Sequence, residues 1–272
     1  MNFLKISDFI KKSKQKNSAK VPLHIMHKNI LKQKLDNLIK NGIYEVSEQK
    51  PDPIIIARKY KDEYSSLIAA LFAYGNVSAI LKFLNKIDYS LSDNSNKNLY
   101  YRFQTSKDVR KFLQTLSIMK KEFDLNELFF KGYKKENNPI DGIREIIKTI
   151  YKISNYNSKG YEFLIGKIPS FKTKGVSAYK RWNMFVRWMV RDEYPDLGLW
   201  KNIDKKDLII PLDTHTHKVS LRLGLIKRKT NDLQAAIELT NKLKNFDPSD
   251  PVKYDFALYR IGQTKLITDF IS

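Results

Sequence analysis

A carboxylate, two histidines and a row of basic side chains are the residues of this chain best suited to chemistry. Asp213 opens the stretch Pro211-Leu212-Asp213-Thr214-His215-Thr216-His217-Lys218-Val219-Ser220-Leu221-Arg222-Leu223-Gly224-Leu225. Val219, Leu223 and Ile226 follow at helical spacing, and Gly224 stands where glycine commonly closes a helix. Aspartate is a preferred N-cap because its side-chain oxygen accepts from the unpaired N–H groups of the first turn. Asp213 is therefore either an ordinary cap or a catalytic carboxylate that its helix holds still. Asp213-x-His215-x-His217 also has the form of a metal-ligand string. Residues two apart on a helix point about 200° away from each other, so both histidines could reach one metal only from a strand. The apolar spacing favours a helix, and no metal is expected. Upstream, Lys180, Met184, Arg187 and Arg191 share one face of a helix expected over Ala178 to Arg191, with Ser177 as its cap. Trp182, Phe185, Val186 and Met189 form its core face. The charged face is either solvated or lies against an anion.

These residues need helices to hold them, and the apolar spacing supplies many. Residues 1–20 form a basic amphipathic segment and linker around Leu4, Phe9 and Ile10, and a helix carrying Ile30, Leu31, Leu35 and Leu38-Ile39 ends at Asn41-Gly42. After Pro51-Asp52-Pro53 one long apolar helix is expected from Ile54 to about Tyr74, buried nearly all round. Gly75-Asn76 interrupts it before Val77 to Ile87 resumes, so Asn76 is part of a plain turn or sits on an exposed loop. Ser90 to Asn98 is a polar loop. Helices are expected over Tyr100 to Phe123, Leu125 to Tyr133, Pro139 to Tyr151 and Tyr161 to Ile168. A Lys-rich loop, Pro169 to Val176, leads into the Lys180 helix, and Asp192 to Leu208 connects it to Asp213. Asn231 to Leu243 and Tyr254 to Ile267 complete the set, on either side of the stiff turn Asp247-Pro248-Ser249-Asp250-Pro251. With no βαβ alternation and no repeats, the fold class is all-α.

Composition narrows the partners. Fifty Lys and Arg against 29 Asp and Glu leave a net charge of +21, a field that attracts polyanions. Nucleic acid is the leading partner. An anionic membrane surface and a plain Lys-rich composition are the alternatives. The chain has no Cys, hence no disulfide, no thiolate zinc site and no Cys-ligated iron–sulfur cluster. No apolar run approaches the ~20 residues that span a bilayer, and the N-terminus lacks the apolar core of a secretory signal. A cytoplasmic location is expected.

Together, the Lys-rich loop with Gly175, the helix starting near Lys180, and Asp-Thr-His-x-x-Lys-Val-x-x-Arg resemble the helix–hairpin–helix DNA glycosylases (HhH-GPD), of which endonuclease III is the familiar member. The family's signature around its catalytic aspartate is matched by Asp213, Thr214, His215, Val219 and Arg222, with Lys218 replacing the basic residue before Val219. The family's hairpin, Leu-Pro-Gly-Val-Gly, is degenerate here as Phe171-Lys172-Thr173-Lys174-Gly175-Val176-Ser177. The 33 residues between Lys180 and Asp213 exceed the spacing in endonuclease III. They resemble the archaeal 8-oxoguanine DNA glycosylase branch, to which Asp255 and Tyr259 are also similar as pocket acid and aromatic. The runs Lys180 to Val190 and Tyr254 to Leu258 resemble an uncharacterised bacterial family allied to that branch.

The resemblance implies a two-lobed helical glycosylase fold filling residues 1–272 as one unit. Residues of about 61–210 would form a central lobe with the hairpin, and about 1–60 plus 211–272 the second. It also implies base-excision repair with AP lyase activity on an oxidised purine, most readily 8-oxoguanine. The partner would be double-stranded DNA containing the damaged base, and the chain would act as a monomer in the bacterial or archaeal nucleoid. Asp213 would stabilise the cation-like sugar while Lys180 attacks C1′, with Arg181, Arg187 and partial burial favouring its neutral amine. Met184, Asp255 and Tyr259 would form the base pocket. Asn76 would fill the gap left by the flipped base, and Lys174, Gly175, Ser177, Arg187 and Lys218 would contact the DNA backbone. No cofactor is implied beyond a structural monovalent cation at the hairpin. The alternative is a DNA-binding protein on the same helical fold without catalysis.

Overall fold

Local capping chemistry sets most of the helix starts in the computed structural model, which describes residues 23–42, 45–47, 49–92 and 98–263. The elements are α1 (Leu23–Lys40), α2 (Ile54–Tyr60), α3 (Glu63–Leu71), α4 (Val77–Leu84), α5 (Ser106–Glu122), α6 (Leu125–Tyr133), α7 (Pro139–Ser154), α8 (Lys159–Ile165), α9 (Lys180–Val190), α10 (Thr214–Arg222), α11 (Leu233–Lys244) and α12 (Asp255–Gln263). Short 3-10 turns occupy Lys205–Asp207 and Pro251–Tyr254. No strand occurs among the described residues, so the all-α class holds. The basic segment expected over 1–20 lies outside the described residues, as does the end of the helix expected to reach Ile267.

Asp62, Asn76, Asp124, Asn138, Ser158, Asp213 and Asp232 each accept a first-turn N–H of the helix that follows. Thr105 and Asp108 form a reciprocal capping box on α5. These side chains satisfy donors that the helix geometry leaves unpaired.

Three of the boundaries that move have a clear local cause. The single helix expected from Ile54 to Tyr74 is two, α2 and α3. Lys61 turns left-handed at φ 53° to end the first, and Asp62 caps the second. The apolar pattern runs through the break because both helices pack into the same core. The helix expected from Tyr100 begins instead at Ser106, because residues 101–104 close a turn of their own, Tyr101 N–H and Gln104 N–H each donating to the other's carbonyl. Ser177 does not cap a helix at Ala178. Its hydroxyl accepts from the Tyr179 N–H at 3.1 Å, Tyr179 takes a left-handed φ of 49°, and α9 starts at Lys180.

The core centres on α3 and α9, which pack together and are buried on nearly every face. Burying large side chains such as Leu67, Phe185 and Phe72 contributes roughly 1.5–3 kcal/mol each. The solvated or anion-facing row expected on α9 is therefore corrected. Arg187 and Arg191 are each only 3% exposed. Both bond Asp196, with Arg187 Nη2 at 3.1 Å, and Arg191 Nη2 also reaches Asp250 at 2.8 Å. Arg187 in addition pairs with Asp255 at the start of α12. The network ties α9 to the Asp196 loop and to the Asp250–Asp255 segment. Burial opposes the charged guanidinium of Arg187, but Asp196 and Asp255 outweigh it and raise its pKa.

Candidate functional site

Asp213 occupies the N-cap of α10 with extended backbone, and its carboxylate accepts from the Thr216 N–H at 2.8 Å. The helix closes in a Schellman arrangement. Leu225 N–H donates to Ser220 O at 2.9 Å and Gly224 N–H to Leu221 O at 3.1 Å, with Gly224 at a φ of +67° that a side chain would strain. Nine residues thus hold one half-buried carboxylate against a defined helix start.

That carboxylate faces a cavity of about 700 Å³. Lys180, the first residue of α9, also lines it. So do Met184 one turn later, Asp255 and Tyr259 on α12, Asn76 at the head of α4, and Ser177. Asp213, Asp255 and Tyr259 meet because α10 packs against α12. The charges of Asp213 and Lys180 both act on the Asp255 carboxyl. Burial, opposed by Arg187 and reinforced by Asp213, raises that carboxyl to about 6. Burial, with Asp52 and Asp213, likewise raises the Tyr259 phenol. The site thus joins a half-buried amine, a capped carboxylate and a buried carboxyl that titrates far nearer neutrality than usual.

Other site residues fall differently. Arg187 lines the cavity but is buried and paired with Asp196 and Asp255, so it is not a DNA-backbone contact, nor is it an uncompensated cation beside Lys180. Arg181 lines the cavity too, but it is engaged elsewhere. Its guanidinium donates to Leu71 O and Phe163 O. The Gly175 N–H is not open to a phosphate, because it donates to the buried Asp232 carboxylate at 2.7 Å. Asp232 also pairs with Arg228 and caps α11, and its pKa is lowered chiefly by Arg228. The loop's Thr173 and Val176 carbonyls accept from Gln234 and Leu233 N–H groups at 3.0 and 3.2 Å, which ties the loop to α11. Lys174 and Lys218 are exposed and lie outside the cavity lining. Asn76 is exposed at the cavity, with its amide oxygen accepting from Ser78 N–H at 2.9 Å.

The two histidines diverge. His217 is buried with Nε2 3.0 Å from Arg228 O, whereas His215 is exposed at the cavity. Among the described residues no three His, Asp or Glu side chains gather as a metal site. Sequence reasoning missed Asp52, Tyr74 and Phe256 in the lining. Asp52 reads only as part of a Pro-Asp-Pro break, and no local signal marks the other two.

The chain matches the family model described as "Protein of unknown function (DUF2400)" over residues 52–264. It belongs to that family, and the match spans the cavity-lining residues from Asp52 to Tyr259. No curated protein and no solved structure matches it.

Proposed function

We propose that this DUF2400 member is a DNA base-excision glycosylase with AP lyase activity that removes an oxidised purine, 8-oxoguanine being the favoured substrate. The observation that carries the reading is the convergence of Lys180, Met184, Asp213, Asp255 and Tyr259 on one cavity from three separate helix starts. A volume of about 700 Å³ is in the range of small-molecule sites and accommodates a flipped nucleotide. The proposed two-lobed arrangement puts Lys180 on the lobe of about 61–210, and Asp213, Asp255 and Tyr259 on the other. The substrate strand would pass between them.

In the proposed reaction Lys180 Nζ attacks C1′ of the extruded nucleotide. A bond forms between Nζ and C1′ while the C1′–N9 bond breaks, its electron pair leaving with the base, which takes up the proton that Nζ gives up. Asp213 stabilises the positive charge that develops on the sugar. Ring opening gives a Schiff base, and loss of a C2′ proton then expels the 3′ phosphate. Asp255 meets a purine N–H and Tyr259 and Met184 flank the base. Lys174 and Lys218 serve the DNA backbone, Ser177 the phosphate nearest the cavity, and Asn76 the gap in the duplex. The +21 charge supports such a partner. No metal or redox cofactor is required by these steps, and a monomer in the cytoplasmic nucleoid suffices.

Borohydride reduction in the presence of an 8-oxoguanine duplex should trap a covalent adduct with the wild type and none with Lys180→Gln. No adduct and no base release across a panel of oxidised, alkylated and deaminated bases would overturn the catalytic reading. One observation favours the alternative of a non-catalytic DNA-binding protein: the Asp232 carboxylate already occupies the Gly175 N–H. That alternative requires salt-sensitive DNA binding, indifferent to Asp213→Asn, with no base released.

A further inference from the structure

Beside the cavity stands a group of aromatic rings that the reaction above does not use. Tyr74 lines the cavity, and its ring lies parallel to that of Phe103, with a 6.2 Å centroid separation and 6° between planes. Phe163 on α8 meets both rings edge-on, at 5.1 Å from Tyr74 and 4.8 Å from Phe103. Arg102 lies over Phe103 at 5.5 Å, and Arg181 over Phe163 at 5.2 Å. Among the described residues most large aromatics are buried, yet Phe103 is 58% exposed and Phe163 44%.

The platform is built rather than incidental. Arg102 and Phe103 form the tip of the turn closed by Tyr101 and Gln104. Tyr101 is buried, and its hydroxyl donates to Tyr74 O at 2.7 Å. Gln104 is buried too, and donates to Gly160 O at 2.8 Å. Arg102 holds a left-handed φ of 51°, which a non-glycine residue adopts only when its surroundings impose it. Its side chain lies across Gly75, where a Cβ would come within 2.8 Å of the guanidinium. The turn is thus anchored through its buried residues while its tip carries one cation and one largely exposed ring.

We propose that Phe103, Phe163 and Arg102 form a stacking ledge for an unpaired nucleobase of single-stranded DNA, continuous with the cavity at Tyr74. Aromatic faces hold bases of any sequence, and a guanidinium beside them meets the phosphate or stacks on the base itself. The ligand class rests on the nucleic-acid reading of the cavity, but binding at the ledge requires no base excision. The excess of basic residues supplies the matching charge.

The test is fluorescence anisotropy of the full chain with two labelled oligomers of equal charge, each roughly 10 units long: oligothymidylate, and a base-free chain of abasic sugar phosphates. The wild type should bind the base-bearing oligomer about tenfold more tightly. Phe103→Ala and Phe163→Ala should each bring that ratio close to one, and Phe103→Trp should retain it. Circular dichroism melts verify that these variants stay folded. Equal affinity of the wild type for both oligomers overturns the ledge, as does an unchanged ratio in folded Phe103→Ala. Base release without the ratio sinks this inference alone, whereas the ratio without base release on any lesion sinks only the catalytic reading.

Discussion

Asp213 combines a structural and a proposed catalytic role in one carboxylate, and two substitutions separate them. Asp213→Asn retains an oxygen able to accept from the Thr216 N–H, now 2.8 Å away, and removes only the charge. Asn and Asp are comparable N-caps, so the change should cost no more than the helix-dipole contribution, about 0.3–1 kcal/mol. Part of that is offset, because the Asp213 charge disfavours the ionised form of the buried Asp255. Asp213→Ala removes the acceptor as well, at about 1 kcal/mol more. For a chain of this size each kcal/mol shifts Tm by roughly 2–4 °C. The alanine variant should therefore melt about 3–6 °C lower and the asparagine variant close to wild type. If the charge stabilises a cation-like sugar, base release from an 8-oxoguanine duplex should fall on the order of 10²–10³-fold in both variants. The assays are thermal melts by circular dichroism and single-turnover base release. Wild-type base release by Asp213→Asn would refute the catalytic role. Equal destabilisation of the two variants would refute the cap as its structural basis.

Other outcomes follow from the same geometry. Arg187→Ala leaves Asp255 without its buried cation and Asp196 with Arg191 alone, and should cost about 3–5 kcal/mol in urea unfolding, whereas an arginine that served only DNA phosphates would cost almost nothing. Lys174→Ala and Lys218→Ala should each lower the slope of log affinity against log salt by about 1 without altering stability, measured by DNA binding at several ionic strengths. The Asp255 carboxyl, raised to about 6 from 3.8, binds its proton more tightly folded than unfolded. Its stabilising contribution is complete below pH 3.8 and is lost as pH rises through about 6. The stability of wild type minus that of Asp255→Asn should accordingly fall by on the order of 2–3 kcal/mol between pH 4 and 7 in denaturant titrations. A flat difference would rule out the shift.

Residues 213–225 declare their structure locally: an aspartate, a helical apolar spacing and a glycine are enough to set a start, a face and an end. The same holds for the all-α class, because periodicity acts over a few neighbouring residues. The break at Lys61-Asp62 was not legible from the apolar pattern. Both sides of it bury into one core, and the left-handed turn leaves no gap in hydrophobicity.

Partnership lies beyond local spacing. Lys180, Arg187 and Arg191 fall on the α9 face expected to be basic and open, yet only tertiary packing decided that the two arginines are buried against Asp196, Asp250 and Asp255, carboxylates from segments five to 68 residues away. A cation and an anion distant in the chain attract strongly only where folding removes the water between them, and the spacing along one helix carries no record of that. The Gly175 N–H likewise has its partner 57 residues on, in Asp232. The sequence by itself determined the all-helical class and offered the polar side chains that meet at the cavity. The tertiary structure decided which charges remain open to a ligand and which are neutralised within the fold.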